Sequence, residues 1–176
     1  MKNLLSYILV GFLWLLHWLP LPALRALGGG LGRLFYRFAN ERRNIVLTNL
    51  RLCFPELSEA KREAMARQHF IVFAKAFLDR TLGWWASKER LQRLIRIRGV
   101  ENLSDPEGRP IILLSPHFVG LDAGATRISM YVPGCTVYSR QKNQVLDKLL
   151  YDGRGRFTDT VMLSRKDGMR KIVKAM

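Results

Sequence analysis

The sequence predicts an α/β fold, with an N-terminal membrane-anchoring helix and a helical segment leading into a mainly parallel or mixed sheet flanked by helices. Three observations carry this. Residues 3–24 contain no charged side chain. The middle of the chain repeats large apolar residues at helical spacing. From about residue 95, short apolar or β-branched runs alternate with helical-looking stretches, the pattern of βαβ units. The chain therefore divides into 1–27 (membrane anchor), 28–95 (helical part) and 96–176 (α/β core).

In the anchor, about 17 largely apolar residues precede Pro20, against the roughly 20 that span a bilayer. That length is borderline for spanning and ample for interfacial insertion. Trp14 and Trp18 stand near its end, as interfacial aromatics do, and Arg25, Arg33, Arg37, Arg42 and Arg43 follow. Positive charge after the segment places the rest of the chain in the cytoplasm. Arg25 falls where a cleaved signal peptide needs small uncharged residues, which disfavours that alternative; a buried core helix is a further one.

The glycines of GGGLG, at 28–32, follow no strand and do not match GxGxxG. They read as a flexible or closely packed helix junction rather than a nucleotide loop. Pro55 closes the helical run RRNIVLTNLRLCF, Ser58 is placed to cap the next helix, and Ala66, Phe70, Phe73 and Phe77 share one face of it as core. Trp84 and Trp85 pack in the core, line an acyl groove or touch a membrane interface. In the last part, 111–114, 136–138 and 160–163 read as strands, and 120–131, 143–151 and 167–176 as helices. Ligands of parallel sheets bind beyond the carboxyl ends of strands. There stand His117, Arg140 and Arg165.

Charge narrows the partner. With 29 Lys and Arg against 14 Asp and Glu, the formal charge is +15, which suits an anion: nucleic acid, an acidic membrane, a phosphorylated substrate or an acidic protein. No aromatic-basic recognition motif or helix-turn-helix signal supports nucleic acid. Cys53 and Cys135 form no CxxC pair and the three histidines do not cluster, so neither a disulfide framework nor a metal site is expected.

Within LLSPHFVGLD, an acid five positions after a histidine is a weak signal alone, since acids make up roughly an eighth of typical sequences. Context supplies the rest. His17 and His69 lack both the acid and the strand end. Pro116 extends the backbone before His117, and Gly120 permits a tight entry into a helix whose first turn carries Asp122. Residues five apart on one helix diverge by about 140°; a histidine in the loop and an aspartate on the helix can meet. Such a pair orients an imidazole to take a proton from a hydroxyl. Ser115 lies off the strand end and no GxSxG occurs, which leaves a substrate hydroxyl as the nucleophile. A structural histidine with an unrelated aspartate is the alternative. Arg140, Arg154, Arg156 and Arg165 are candidate phosphate ligands, or else part of a solvated basic face.

These residues resemble the late acyltransferases of lipid A biosynthesis, the lauroyl and myristoyl transferases of the lysophospholipid acyltransferase superfamily. The likeness covers nearly the whole chain: the anchor, RRNIVLTNLRLCFPELSEAKREAMARQHF at 42–70, SPHFVGLDAG with the His-x4-acid motif, VYSRQKNQVLDKLL from Val137, and GRGRF before LSRKDG. The resemblance implies a glycerolipid acyltransferase-like fold at the cytoplasmic face of the bacterial inner membrane. It implies transfer of a fatty acyl chain from acyl carrier protein to a hydroxyl of the 3-hydroxyacyl chain of a Kdo-bearing lipid A precursor. His117 is then the general base and Asp122 its partner, without an acyl-enzyme. Arg140, Arg154, Arg156 and Arg165 bind substrate or steady the oxyanion, no cofactor or metal is needed, and nucleic acid is not a partner. Family members continue past the helix near Asp167, so the chain, stopping at KIVKAM, is expected to be a fragment with an incomplete core. Two alternatives stay open: an acyltransferase for a lysophospholipid, ornithine lipid or glycolipid, and an inactive membrane-tethered protein that binds anionic lipid or nucleic acid.

Overall fold

A computed structural model of the chain describes residues 4–174, without the side chains of Met169 and Ile172. The chain forms two compact units: Leu19–Asp79, and the described residues up to Trp18 with those from Arg80 onward.

The Leu19–Asp79 unit is helical. It holds α2 (Leu21–Phe38), α3 (Asn40–Cys53) and the larger part of α4 (Glu59–Trp85), with α1 (Leu4–Leu16) preceding them in the chain. Pro20 at the N-cap and Pro22 in the first turn start α2 where a missing N–H costs nothing. The GGGLG glycines lie within α2, and two of them press on α4. A Cβ on Gly32 would stand 2.5 Å from Ile71 Cα, and one on Gly28 would stand 2.8 Å from Lys75 Cα. Of the two expectations for this segment, the closely packed one holds. Tyr36, Ala66 and Phe70 form the buried cluster of this unit, with Ala39, Val46, Leu47 and Leu50 against it. α3 stops at Cys53, as the residue before Pro55 avoids helical backbone. The side chain of Ser58 accepts from the Lys61 N–H at 3.4 Å, and buried Arg62 ties down the connection through the carbonyls of Phe54 (3.1 Å) and Pro55 (2.6 Å).

The apolar face of α4 differs from its expected course. Ala66 and Phe70 are buried, but Phe73 and Phe77 are 54% and 40% exposed, and burial continues through Ala74, Leu78 and Leu82. Steps of four rotate the buried line by about 40° each time.

The other unit contains α1, α5 (Lys88–Leu94), α6 (Leu121–Ile128), β1 (Cys135–Tyr138), α7 (Gln144–Arg154), β2 (Val161–Ser164) and α8 (Met169–Lys174). β1 and β2 pair in parallel, Cys135 opposite Val161 and Tyr138 opposite Ser164, with α7 as the crossover. The strands expected at 136–138 and 160–163 are thus present, the first beginning one residue earlier and the second shifted one residue later. The Asn143 side chain caps α7 by accepting from the N–H groups of Val145 (3.0 Å) and Leu146 (3.2 Å), and its amide donates to Ser6 Oγ of α1 at 2.7 Å.

One expectation needs correction. Residues 111–114 form no strand; Ile112 is 78% and Leu114 97% exposed. Such a run suits a strand covered on both faces, and the described sheet has two strands, too few to cover it. Among the described residues no helix is long and apolar enough to cross a membrane. α1 has 13 residues, a rise of about 20 Å against a hydrocarbon core of about 30 Å. It breaks at His17, whose ring lies among those of Trp14, Trp18 and Trp85 and whose carbonyl accepts from Arg90. Leu5, Ile8, Leu15 and Trp18 of this segment remain exposed.

Candidate functional site

The last two turns of α4 organise the candidate site. Arg80 and Gly83 are three apart and share one face of the helix. A Cβ on Gly83 would stand 3.3 Å from Thr126 Oγ1 of α6, so the two helices approach closely at that level. One residue on, the Trp84 ring fills the space where Gly153 of α7 has no side chain; a Cβ there would lie 2.3 Å from Trp84 Cδ1. Arg156, just past α7, donates to the carbonyls of Gly83 (2.8 Å) and Ala86 (3.0 Å). Those are carbonyls that the end of a helix leaves without partners.

Around this junction sits Asp122, in the first turn of α6, where the helix dipole favours a carboxylate. Its Oδ2 accepts from Arg80 Nε at 2.6 Å, and its Oδ1 accepts from Arg154 Nη2 at 3.4 Å. The Thr126 hydroxyl donates to the Asp122 carbonyl at 2.8 Å and steadies the same turn. All three charged side chains are partly open, Asp122 at 32%, Arg80 at 39% and Arg154 at 44%. A reactant can therefore reach a carboxylate already gripped by guanidinium groups.

His117 makes no contact with these three. It is the central residue of a tight turn closed by the Phe118 N–H donating to the Pro116 carbonyl at 2.8 Å. Its side chain is exposed and, among the described residues, makes no hydrogen bond or ion pair. Gly120 takes an ordinary φ of −84° beside open space, so the entry to α6 makes no special demand for glycine. The expected meeting of His117 with Asp122 is replaced by the contact of Asp122 with two arginines.

The four predicted arginines separate. Arg154 joins Asp122. Arg156 is turned to the end of α4, with its guanidinium over the Phe157 ring at 4.9 Å, and burial lowers its pKa from the ordinary value. Two of its donors thus brace the end of α4, while the residue itself stays exposed. Arg140 and Arg165 come together beyond the carboxyl ends of β1 and β2, as the parallel pattern predicts. With Ser139, Ser164, Lys166 and Asp167 they line a cleft of about 360 Å³. The Asp167 carboxylate accepts from the Ser164 N–H at 2.8 Å and pairs with Lys171 Nζ at 3.7 Å, so three cations outweigh one anion in the lining of the cleft. An anion with several oxygens suits such a lining.

Arg80 escaped the sequence reading. Its only local signal is the spacing to Gly83, and nothing in LDRTLGWW points to a partner 42 residues away. Among the described residues no three His, Cys, Asp or Glu side chains are grouped to hold a metal ion.

Comparison with known proteins adds an independent line. Residues 1–176 match the family described as bacterial lipid A biosynthesis acyltransferase. The chain is 36% identical over 174 residues to the lipid A biosynthesis lauroyltransferase of Escherichia coli (strain K12), covering 98% of this chain and 56% of that one. It is 34% identical over 160 residues to a lipid A biosynthesis acyltransferase of Haemophilus influenzae, covering 90% and 51%. It is 28% identical over 174 residues to the Escherichia coli lipid A biosynthesis palmitoleoyltransferase, covering 98% and 56%. The chain thus spans about half the length of the curated relatives it matches. No solved structure matches it.

Proposed function

The chain belongs to the bacterial lipid A biosynthesis acyltransferase family, and from that premise we propose that it transfers a fatty acyl chain from acyl carrier protein to a hydroxyl on the 3-hydroxyacyl chain of a Kdo-bearing lipid A precursor. The observation that carries the reading is the Asp122 carboxylate, held by Arg80 and Arg154 five residues after the exposed His117. In the proposed step, the turn at 116–120 closes and Asp122 accepts one ring N–H of His117. The other ring nitrogen takes the proton of the acceptor hydroxyl. That oxygen forms a bond to the thioester carbonyl carbon, the carbon–sulfur bond breaks, and the departing thiolate recovers the proton from the imidazolium. No acyl-enzyme intervenes.

The remaining features fit the same substrates. The cleft of Arg140, Arg165 and Lys166 suits the phosphates of the acceptor, and the charge of +15 suits an acidic carrier protein and an anionic membrane surface. The exposed apolar side chains of α1 suit insertion at the cytoplasmic face of the inner membrane. One assay tests the reading. Membranes containing the protein, or its His117→Ala or Asp122→Ala variant at equal abundance, receive acyl carrier protein loaded with a labelled chain and a Kdo-lipid A precursor. Both variants are expected to lose about 10²-fold or more of the transfer. No transfer by the unaltered chain, or undiminished transfer by His117→Ala, overturns the proposal; transfer to a precursor lacking Kdo at the same rate reassigns the acceptor.

A further inference from the structure

We propose that Arg80 is a positioning residue for acyl transfer, acting through Asp122 from the last turns of α4; the inference rests on the reading of Asp122 given above. Three observations converge on it. The Arg80 Nε to Asp122 Oδ2 contact, at 2.6 Å, is the shorter of the two that hold this carboxylate, against 3.4 Å for Arg154. The helix that delivers it is braced at the same level: Gly83 lets α6 approach, Trp84 seats against Gly153, and Arg156 closes the carbonyls of Gly83 and Ala86. The pair is also of little use to the fold. With side chains 39% and 32% exposed, it belongs to the class of ion pairs that contribute little to stability. A short, braced contact of that kind serves the orientation of the carboxylate.

The geometry states how. Nε approaches Oδ2 alone, so Arg80 fixes the rotation of the carboxyl group and leaves Oδ1, more loosely held by Arg154, turned to other donors. One of those donors is the ring N–H of His117 in the proposed closed turn. Arg80 touches no reacting atom. It makes one orientation of Asp122 persist, so that the base is aligned each time substrate arrives.

A double-mutant cycle tests this, using the transfer assay and full chain described above. Arg80→Gln is expected to lower kcat about 10- to 100-fold, the scale of a misplacement near 1 Å, with KM for both substrates unchanged and the melting temperature within a degree or so of the parent. Arg80→Lys, which keeps the charge and loses the fixed fork, should recover part of the rate. In the Asp122→Asn background, Arg80→Gln should remove little more, because the two act as one unit. A full additional loss on Asp122→Asn overturns the inference, as does an Arg80→Gln rate equal to the parent. If Asp122→Asn itself keeps the parental rate, it is the reading of Asp122 that fails, a distinct result.

Discussion

Gly153→Ala tests whether packing at the end of α7 sets the geometry around Asp122. The added Cβ would stand 2.3 Å from Trp84 Cδ1 and 3.1 Å from Trp84 Nε1. Carbon atoms rest about 3.5–4.0 Å apart, so α7 and the indole must separate by a little over about 1 Å. An indole is not a flexible tip that swings aside, and the helix itself takes up part of the shift. The next residue is Arg154, whose contact with Asp122 is already 3.4 Å long; another ~1 Å carries it beyond hydrogen-bond reach. Overpacking costs about 1–3 kcal/mol, and replacing an interior helical glycine returns up to about 1 kcal/mol. With the full return the net loss is about 0–2 kcal/mol, a fall in melting temperature of up to roughly 8 °C for a chain of this size. Transfer should fall about 10- to 100-fold. Far-UV circular dichroism on heating gives the first quantity and the labelled-acyl assay the second. Melting and rate both at parental values would refute the reasoning; a lower melting temperature with the parental rate would break only the link from α7 to Asp122.

The packing of α2 on α4 is checked by two alanine substitutions in one glycine run: Gly32→Ala places a Cβ 2.5 Å from Ile71 Cα and should lower the melting temperature, whereas Gly30→Ala, with nothing within 4 Å, should raise it by up to about 4 °C. Equal shifts from both would refute the close approach. Asp79 predicts a pH dependence. Burial raises its pKa above 3.8, the pull of Arg25 opposing, and its Oδ1 is buried without a partner. A carboxyl with a raised folded-state pKa holds its proton longer in the fold than in the unfolded chain, so stability falls as pH rises from 3.8 through the folded value. Asp79→Asn should remove that slope and melt above the parent at pH 7, measured by thermal unfolding across pH 3–7; an unchanged slope would refute it.

Short-range pattern carried most of the α/β order. Tyr138 and Ser164 end strands where β-branched and apolar runs end, and Asn143 caps α7 because a side-chain oxygen at that position is close to two free N–H groups. What failed needed information from outside the segment. Residues 111–114 have the composition of a strand, but a strand exists only beside another, and none of the described residues pairs there. Phe73 and Phe77 share a face with Ala66, yet burial follows Ala74 and Leu78, a line set by what packs on α4 and not by its own spacing.

The same distinction decides what was legible of the site. Arg140 and Arg165 were readable because parallel pairing of β1 with β2 puts the residues after both strands on one edge, whatever the rest of the chain does. His117 and Asp122 were readable as residue types, but their contact was inferred from reach alone, and reach does not rank competitors. A carboxylate beside guanidinium groups takes the charge-assisted bond over one from a neutral imidazole, and Arg80 is brought within 2.6 Å by a helix that begins 63 residues before Asp122 in the chain, at Glu59. The contacts of Arg156 were illegible for the converse reason: nothing in GRGRF shows that its guanidinium meets the carbonyls of Gly83 and Ala86. The contacts of Arg80 with Asp122, Arg156 with Gly83 and Trp84 with Gly153 join residues more than 40 positions apart, the separation at which composition and spacing lose their hold. A mutation in the last two turns of α4 is therefore expected to disturb transfer more than its distance in sequence from His117 suggests.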